Sequence, residues 1–123
     1  MNVFFACAAG LATINTGLHF FAGGKSIARP LLDATGLAED VRYIQYFCWH
    51  IATLTLAVQA MLFAVAAILP SQANLAIVAT AMAASVGVLG LAIPIICKLR
   101  YREMPQGWLF VPVTILGVIG LLN

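Results

Sequence analysis

His19 and His50 are the only histidines in the chain, and each lies in a long stretch without formal charge, residues 1–24 and 43–97. An ionisable side chain in such a stretch is costly to hold in hydrocarbon and is by default a candidate functional group. Polar and aromatic neighbours stand at helical spacing around both. Asn15 precedes His19 by four residues. Tyr46 precedes His50 by four, and Thr53 follows it by three, so each set shares one helix face. Trp49 adjoins His50, and Trp108 falls at the same depth near the start of the last apolar segment. Asn15, His19, Tyr46, Trp49, His50, Thr53 and Trp108 are therefore the candidate ligand-binding set.

Several chemistries suit this set. The plainest is an interhelical hydrogen-bond network fixing the first helix to the second. A pocket for a quinone or a lipid headgroup is the next, since imidazole and phenol both pair with carbonyl or hydroxyl groups. Haem ligation needs two histidines on facing helices at matched depth, which counting along the chain allows. A redox-inactive metal is disfavoured, because two imidazoles leave two positions of a tetrahedral site unfilled and no Cys, Asp or Glu stands beside them at convincing spacing. Glu103 has nearer partners in Arg100 and Arg102. No nucleophile with a paired base, carboxylate pair or glycine-rich phosphate loop is present, so no catalytic residue is assigned and a non-enzymatic role is favoured.

The elements that position these residues follow from composition. Of the 123 residues, 63% are hydrophobic and 8% charged, and mean hydropathy is +1.05. Soluble domains carry roughly 45–50% apolar and about 25% charged residues. That contrast excludes a soluble globular domain, a disordered tail and a nucleic-acid binder. The ten charges fall in two clusters, Lys25 to Arg42 and Lys98 to Glu103. A span needs about 20 apolar residues. The middle uncharged block, extended as one helix at about 1.5 Å per residue, would reach roughly 80 Å. It must turn back, and Pro70-Ser71-Gln72-Ala73-Asn74 is its only polar punctuation. The reading is a single all-α transmembrane domain, an antiparallel up-down four-helix bundle with helices at about 2–22, 43–69, 74–97 and 107–122. Arg29 to Asp33 forms a short interfacial turn ended by Gly36, and Leu37 to Arg42 extends the second helix beyond the membrane.

Each charged loop holds three Lys or Arg, whereas the Pro70–Asn74 turn and both terminal segments hold none. The positive-inside rule then puts the charged loops in the cytoplasm and both termini outside. The first span has no carboxylate, which argues against a proton-coupled cation exporter of the small multidrug-resistance type. Cys7, Cys48 and Cys97 lack paired spacing and are expected to be small buried hydrophobes. In the third span Ala79, Ala83 and Gly87 recur every fourth residue, joined by Ser85 and Gly90. This stripe suits close packing inside the bundle or a homo-oligomer face. Beyond the lipid bilayer, a second copy or a larger membrane complex is the expected partner.

Gly17-Leu18-His19-Phe20-Phe21-Ala22-Gly23-Gly24, Ala28-Arg29-Pro30-Leu31-Leu32 and Trp49-His50-Ile51-Ala52-Thr53 resemble segments of a group of small bacterial four-helix inner-membrane proteins. Those share a glycine-histidine segment closing helix 1, an Arg-Pro-Leu-Leu loop, a Trp-His pair in helix 2 and a tryptophan opening helix 4, which Trp108 matches here. More distantly, Gly17…Phe20…Gly24-Lys25 is similar to the DoxX-like four-helix families. The resemblance implies a fold and a location, and no activity. The function expected is that of a scaffold or accessory subunit, or alternatively a binder of a quinone-, lipid- or haem-like ligand at His19 and His50. Reporter fusions after Ser71 and after Arg102 should report external and cytoplasmic positions respectively, and the opposite pattern would reverse the topology.

Overall fold

The computed structural model describes all residues, Met1–Asn123, and contains helices and turns only. Helix α1 (Val3–Gly17) runs without a break through a π-helical stretch, Leu18–Ala28, into the short α2 (Arg29–Asp33). Helix α3 spans Glu39–Ile68 and α4 spans Ala73–Ile96, joined by a 3-10 turn at Pro70–Gln72. A second 3-10 turn, Gln106–Leu109, leads into α5 (Phe110–Leu122). Val3–Asp33, Glu39–Ile68 and Pro70–Ile96 are each long and apolar enough to cross a membrane. Gln106–Leu122 is the shorter apolar helix, at the low end of the length a span requires.

The helices form a closed ring in the order α1, α3, α4, α5, each packed on its two neighbours. Polar side chains fix the antiparallel register. Asn2 caps α1 by accepting from the Phe4 and Phe5 amides, donates its amide side chain to Gly120 O at 2.9 Å, and gives its backbone N–H to Ala67 O. One residue thus ties the start of α1 to the ends of α3 and α5. At the other end of α1, Asn15 Nδ2 donates to Leu109 O at 2.9 Å. Between α3 and α4, Gln59, buried to 2% exposure, donates to Ala79 O. The chain termini and the Pro70 turn therefore share one end of the bundle, and the two charged loops share the other.

The core is built largely from alanine: Ala8, Ala9, Ala12, Ala60, Ala66, Ala67, Ala76, Ala79 and Ala83 surround Phe5, Phe63, Phe110 and Val113. Small residues bring backbones close where an apolar surround gives little reason for apolar side chains to prefer the inside. Ala79, Ala83 and Gly87 of the α4 stripe are spent on this packing within the chain, while Ser85 is exposed. Gly87 lies against Phe110, and Gly90 meets the backbone of Gly107 so closely that a Cβ on Gly107 would fall 2.5 Å from Gly90 C. Seven helix hydroxyls are satisfied locally, Thr13, Thr16, Ser26, Thr53, Thr55, Ser85 and Thr114 each donating to the carbonyl four residues earlier, whereas the buried Thr80 hydroxyl, packed against Gly117, has no partner.

Helix 1 departs from the expected end near residue 22. Gly23 and Gly24 look like a stop signal, but a glycine ends a helix by taking a positive φ, and no glycine here does so. The helix carries on through both, and Pro30 sits in the first turn of α2, where its missing N–H is tolerated. The segment expected as a loop turn is thus the last turn of a 31-residue helix. The chain then reverses at residues 34–38, where Arg42 holds the corner by donating to Leu32 O and Ala34 O. Gly107→Ala should force α4 and α5 apart and cost about 1–3 kcal/mol, as overpacking does. Gly10→Ala, where an added Cβ meets nothing, should cost nothing. Melting followed by helical circular dichroism would check both.

Candidate functional site

The well-packed core belongs to the middle of the bundle and the end that carries the termini. Towards the charged loops it gives way to two cavities, and Trp49 of α3 lines both. The local reason is the π-helical stretch. A hydrogen-bond register of i to i+5 is rare, and where it occurs it often marks functional sites. Here it brings Gly23 opposite Trp49 so closely that a Cβ at Gly23 would lie 2.5 Å from Trp49 Cη2. The absence of a side chain at Gly23 is what lets the indole lie flat between helix 1 and α3.

His19, one turn before Gly23, stacks on that indole with ring centroids 3.9 Å apart and planes 16° apart. Its Nε2 points at Trp49 O, 3.4 Å away. A carbonyl only accepts, so this contact needs the proton on Nε2, which in the neutral ring leaves Nδ1 as an acceptor. The same carbonyl also receives the Thr53 hydroxyl at 3.1 Å. His19 and Asn15 line the larger cavity, about 590 Å³, which all four long helical segments enclose. Its wall is mainly apolar, with Leu56, Val86 and Phe110 among the lining residues and Gln106 adding a polar group. Leu18, Ile27 and Leu89 line it too and are themselves exposed, so it opens to the outside of the bundle.

His50 goes elsewhere. It follows Trp49 in sequence, so its side chain leaves α3 about 100° further round the axis. It meets Tyr46 edge-on, with centroids 4.6 Å apart. Both line the smaller cavity, about 420 Å³, together with Lys25 and Arg29.

The structure thus divides the set read from the sequence. Asn15, His19 and Trp49 meet at one cavity, and Tyr46, His50 and Trp49 at the other. The expectation that the two imidazoles meet at one shared site is not realised, because the Trp49 indole takes the place opposite His19. Thr53 spends its hydroxyl on its own helix and lines neither cavity. Trp108 lines neither as well; it is exposed and packs edge-on against Tyr101, 5.9 Å between centroids. No group of three or more His, Cys, Asp or Glu side chains converges anywhere. Glu103 pairs with Arg100 at 3.9 Å in the exposed loop.

Gln106, Lys25 and Arg29 are cavity residues that sequence reasoning missed. The two cations stand four apart, a helical spacing that is visible in the sequence only if helix 1 is allowed to continue past Gly24. No family model, curated protein or solved structure matches the chain. Gly23→Ala should displace the Trp49 ring and break its stack with His19. In a Trp108→Phe background, the remaining Trp49 emission should shift relative to the parent, while Gly10→Ala leaves it unchanged.

Proposed function

We propose that this is a small multi-pass protein of the bacterial inner membrane that binds an amphipathic ligand bearing a carbonyl or hydroxyl group, of quinone or lipid type, in the cavity at Asn15, His19 and Trp49. One observation carries the reading: a mostly apolar cavity of about 590 Å³ with an imidazole stacked on an indole in its wall and a buried asparagine one turn away. Small-molecule sites have this size and this mixture of apolar wall and few oriented polar groups. The Nδ1 acceptor of His19 suits a hydroxyl, and the Gln106 amide suits a carbonyl. The flat Trp49–His19 stack gives an aromatic ring a surface to lie against. The opening past Leu18, Ile27 and Leu89 suits entry from the acyl region.

The charged loops are placed in the cytoplasm on the bias of Lys and Arg. A role as a scaffold or accessory subunit is the competing reading. The small residues Ala79, Ala83 and Gly87 of α4 do not speak for it, since they pack inside the chain.

Gently purified protein should carry a quinone or a lipid detectable by mass spectrometry of its extract. A short-chain quinone should quench Trp49 saturably in a Trp108→Phe background. His19→Leu should weaken that binding about tenfold, the effect of losing one hydrogen bond of ordinary strength. Absence of both the co-purified ligand and the saturable quenching would return the protein to the scaffold reading.

A further inference from the structure

We propose that the second cavity, on the opposite side of Trp49, binds the phosphate headgroup of an anionic phospholipid. Lys25 and Arg29, four residues apart on the extension of helix 1, face this cavity together with Tyr46 and His50, four apart on α3. Two cations, a phenol and an imidazole thus border about 420 Å³ of space, and no carboxylate lines it. Neither cation is neutralised elsewhere, since the sole ion pair of the chain is Arg100 with Glu103 in the other charged loop. Asp33, Glu39 and Asp40 lie at this end of the bundle without pairing to them. Arg42 is occupied with the Leu32 and Ala34 carbonyls.

Phosphate matches what remains. A guanidinium offers forked donors, an ammonium a compact charge, and the phenol a further donor to anionic oxygens. A lipid fits better than a free anion because the rest of the wall is apolar. Phe20, Phe21 and Leu32 complete it, and Phe21 is 76% exposed on the outside of the bundle, where an acyl chain would run. Basic pockets between helices at the charged face of a membrane are a general setting for anionic headgroups. Gly24 also lines the cavity, and a Cβ added there meets nothing within 4 Å. The space is therefore open at the backbone, and a side chain grafted at Gly24 would fill it without disturbing the helix.

The full chain carrying Trp108→Phe would be placed in nanodiscs of phosphatidylcholine, with brominated phosphatidylglycerol or brominated phosphatidylcholine added as the quencher of Trp49. Brominated phosphatidylglycerol should quench at a mole fraction lower by on the order of tenfold or more. Removing each charge, in Lys25→Gln and Arg29→Gln, should reduce this preference about fivefold. Gly24→Leu should abolish it with helical content unchanged. Combined Lys98→Gln, Arg100→Gln and Arg102→Gln in the other loop should leave it intact, as should His19→Leu, which separates this site from the ligand cavity proposed above. Equal quenching by the two lipids would overturn the proposal. So would a preference that survives the Lys25/Arg29 double variant, or one lost equally on neutralising the other loop. Displacement of brominated phosphatidylglycerol by inorganic phosphate would assign the cavity to a free anion and overturn the lipid assignment.

Discussion

Close approach of backbones is the constraint on which this fold depends. With 63% of its residues apolar, the chain cannot distinguish inside from outside by hydrophobicity alone, and large apolar side chains point outward as readily as inward. What distinguishes the interior is size. The fully buried positions are dominated by alanine, and the contacts between α4 and α5 are made at glycine. At such distances dispersion contacts between backbones replace much of the solvent-driven burial of a soluble core. Three amides, the half-buried Asn2 and the buried Asn15 and Gln59, then set the register, since each reaches a carbonyl of a neighbouring element.

The same constraint explains why the cavities lie where they do. The alanine run on helix 1 ends at Ala12, and from Leu18 onward the segment carries large side chains interrupted by Gly23 and Gly24. Close packing cannot continue past this change. Trp49 takes up part of the space by lying on Gly23, and the space it leaves falls to its two sides. The packed end holds the helices together, and the end near the charged loops has the room and the polar groups to receive something.

Most of the fold is legible in the charge distribution. The uncharged blocks, the Pro70 turn and the two charged connections place four helices to within a few residues for α3, α4 and α5. The end of helix 1 is not legible, because whether Gly23-Gly24 stops a helix depends on φ. Here φ follows from the fit against Trp49, a contact between residues far apart in sequence. The pairing of Lys25 with Arg29 is illegible for the same reason, since residues in a loop have no common face. Thr53 and Trp108 fail for a different reason. A helical threonine has a carbonyl of its own to satisfy it, and a tryptophan near a helix end is as well placed on the outer surface as in a site.

The histidines show how far depth alone can carry an argument. Counting from the charged boundaries puts His19 and His50 at similar depth on antiparallel neighbours. A contact, however, also requires that both side chains point at the same line between the helices. Only one of two consecutive residues on α3 can do so, because their directions differ by about 100°. Trp49 and His50 compete for that line. The indole has the larger surface to bury and finds a glycine to lie on, which an imidazole would fill poorly. The stack with His19 and the approach of His19 Nε2 to Trp49 O follow from that outcome. His50 is turned towards Tyr46 and the cations of helix 1, so a single tryptophan converts one expected site into two of different character, one mostly apolar and one basic.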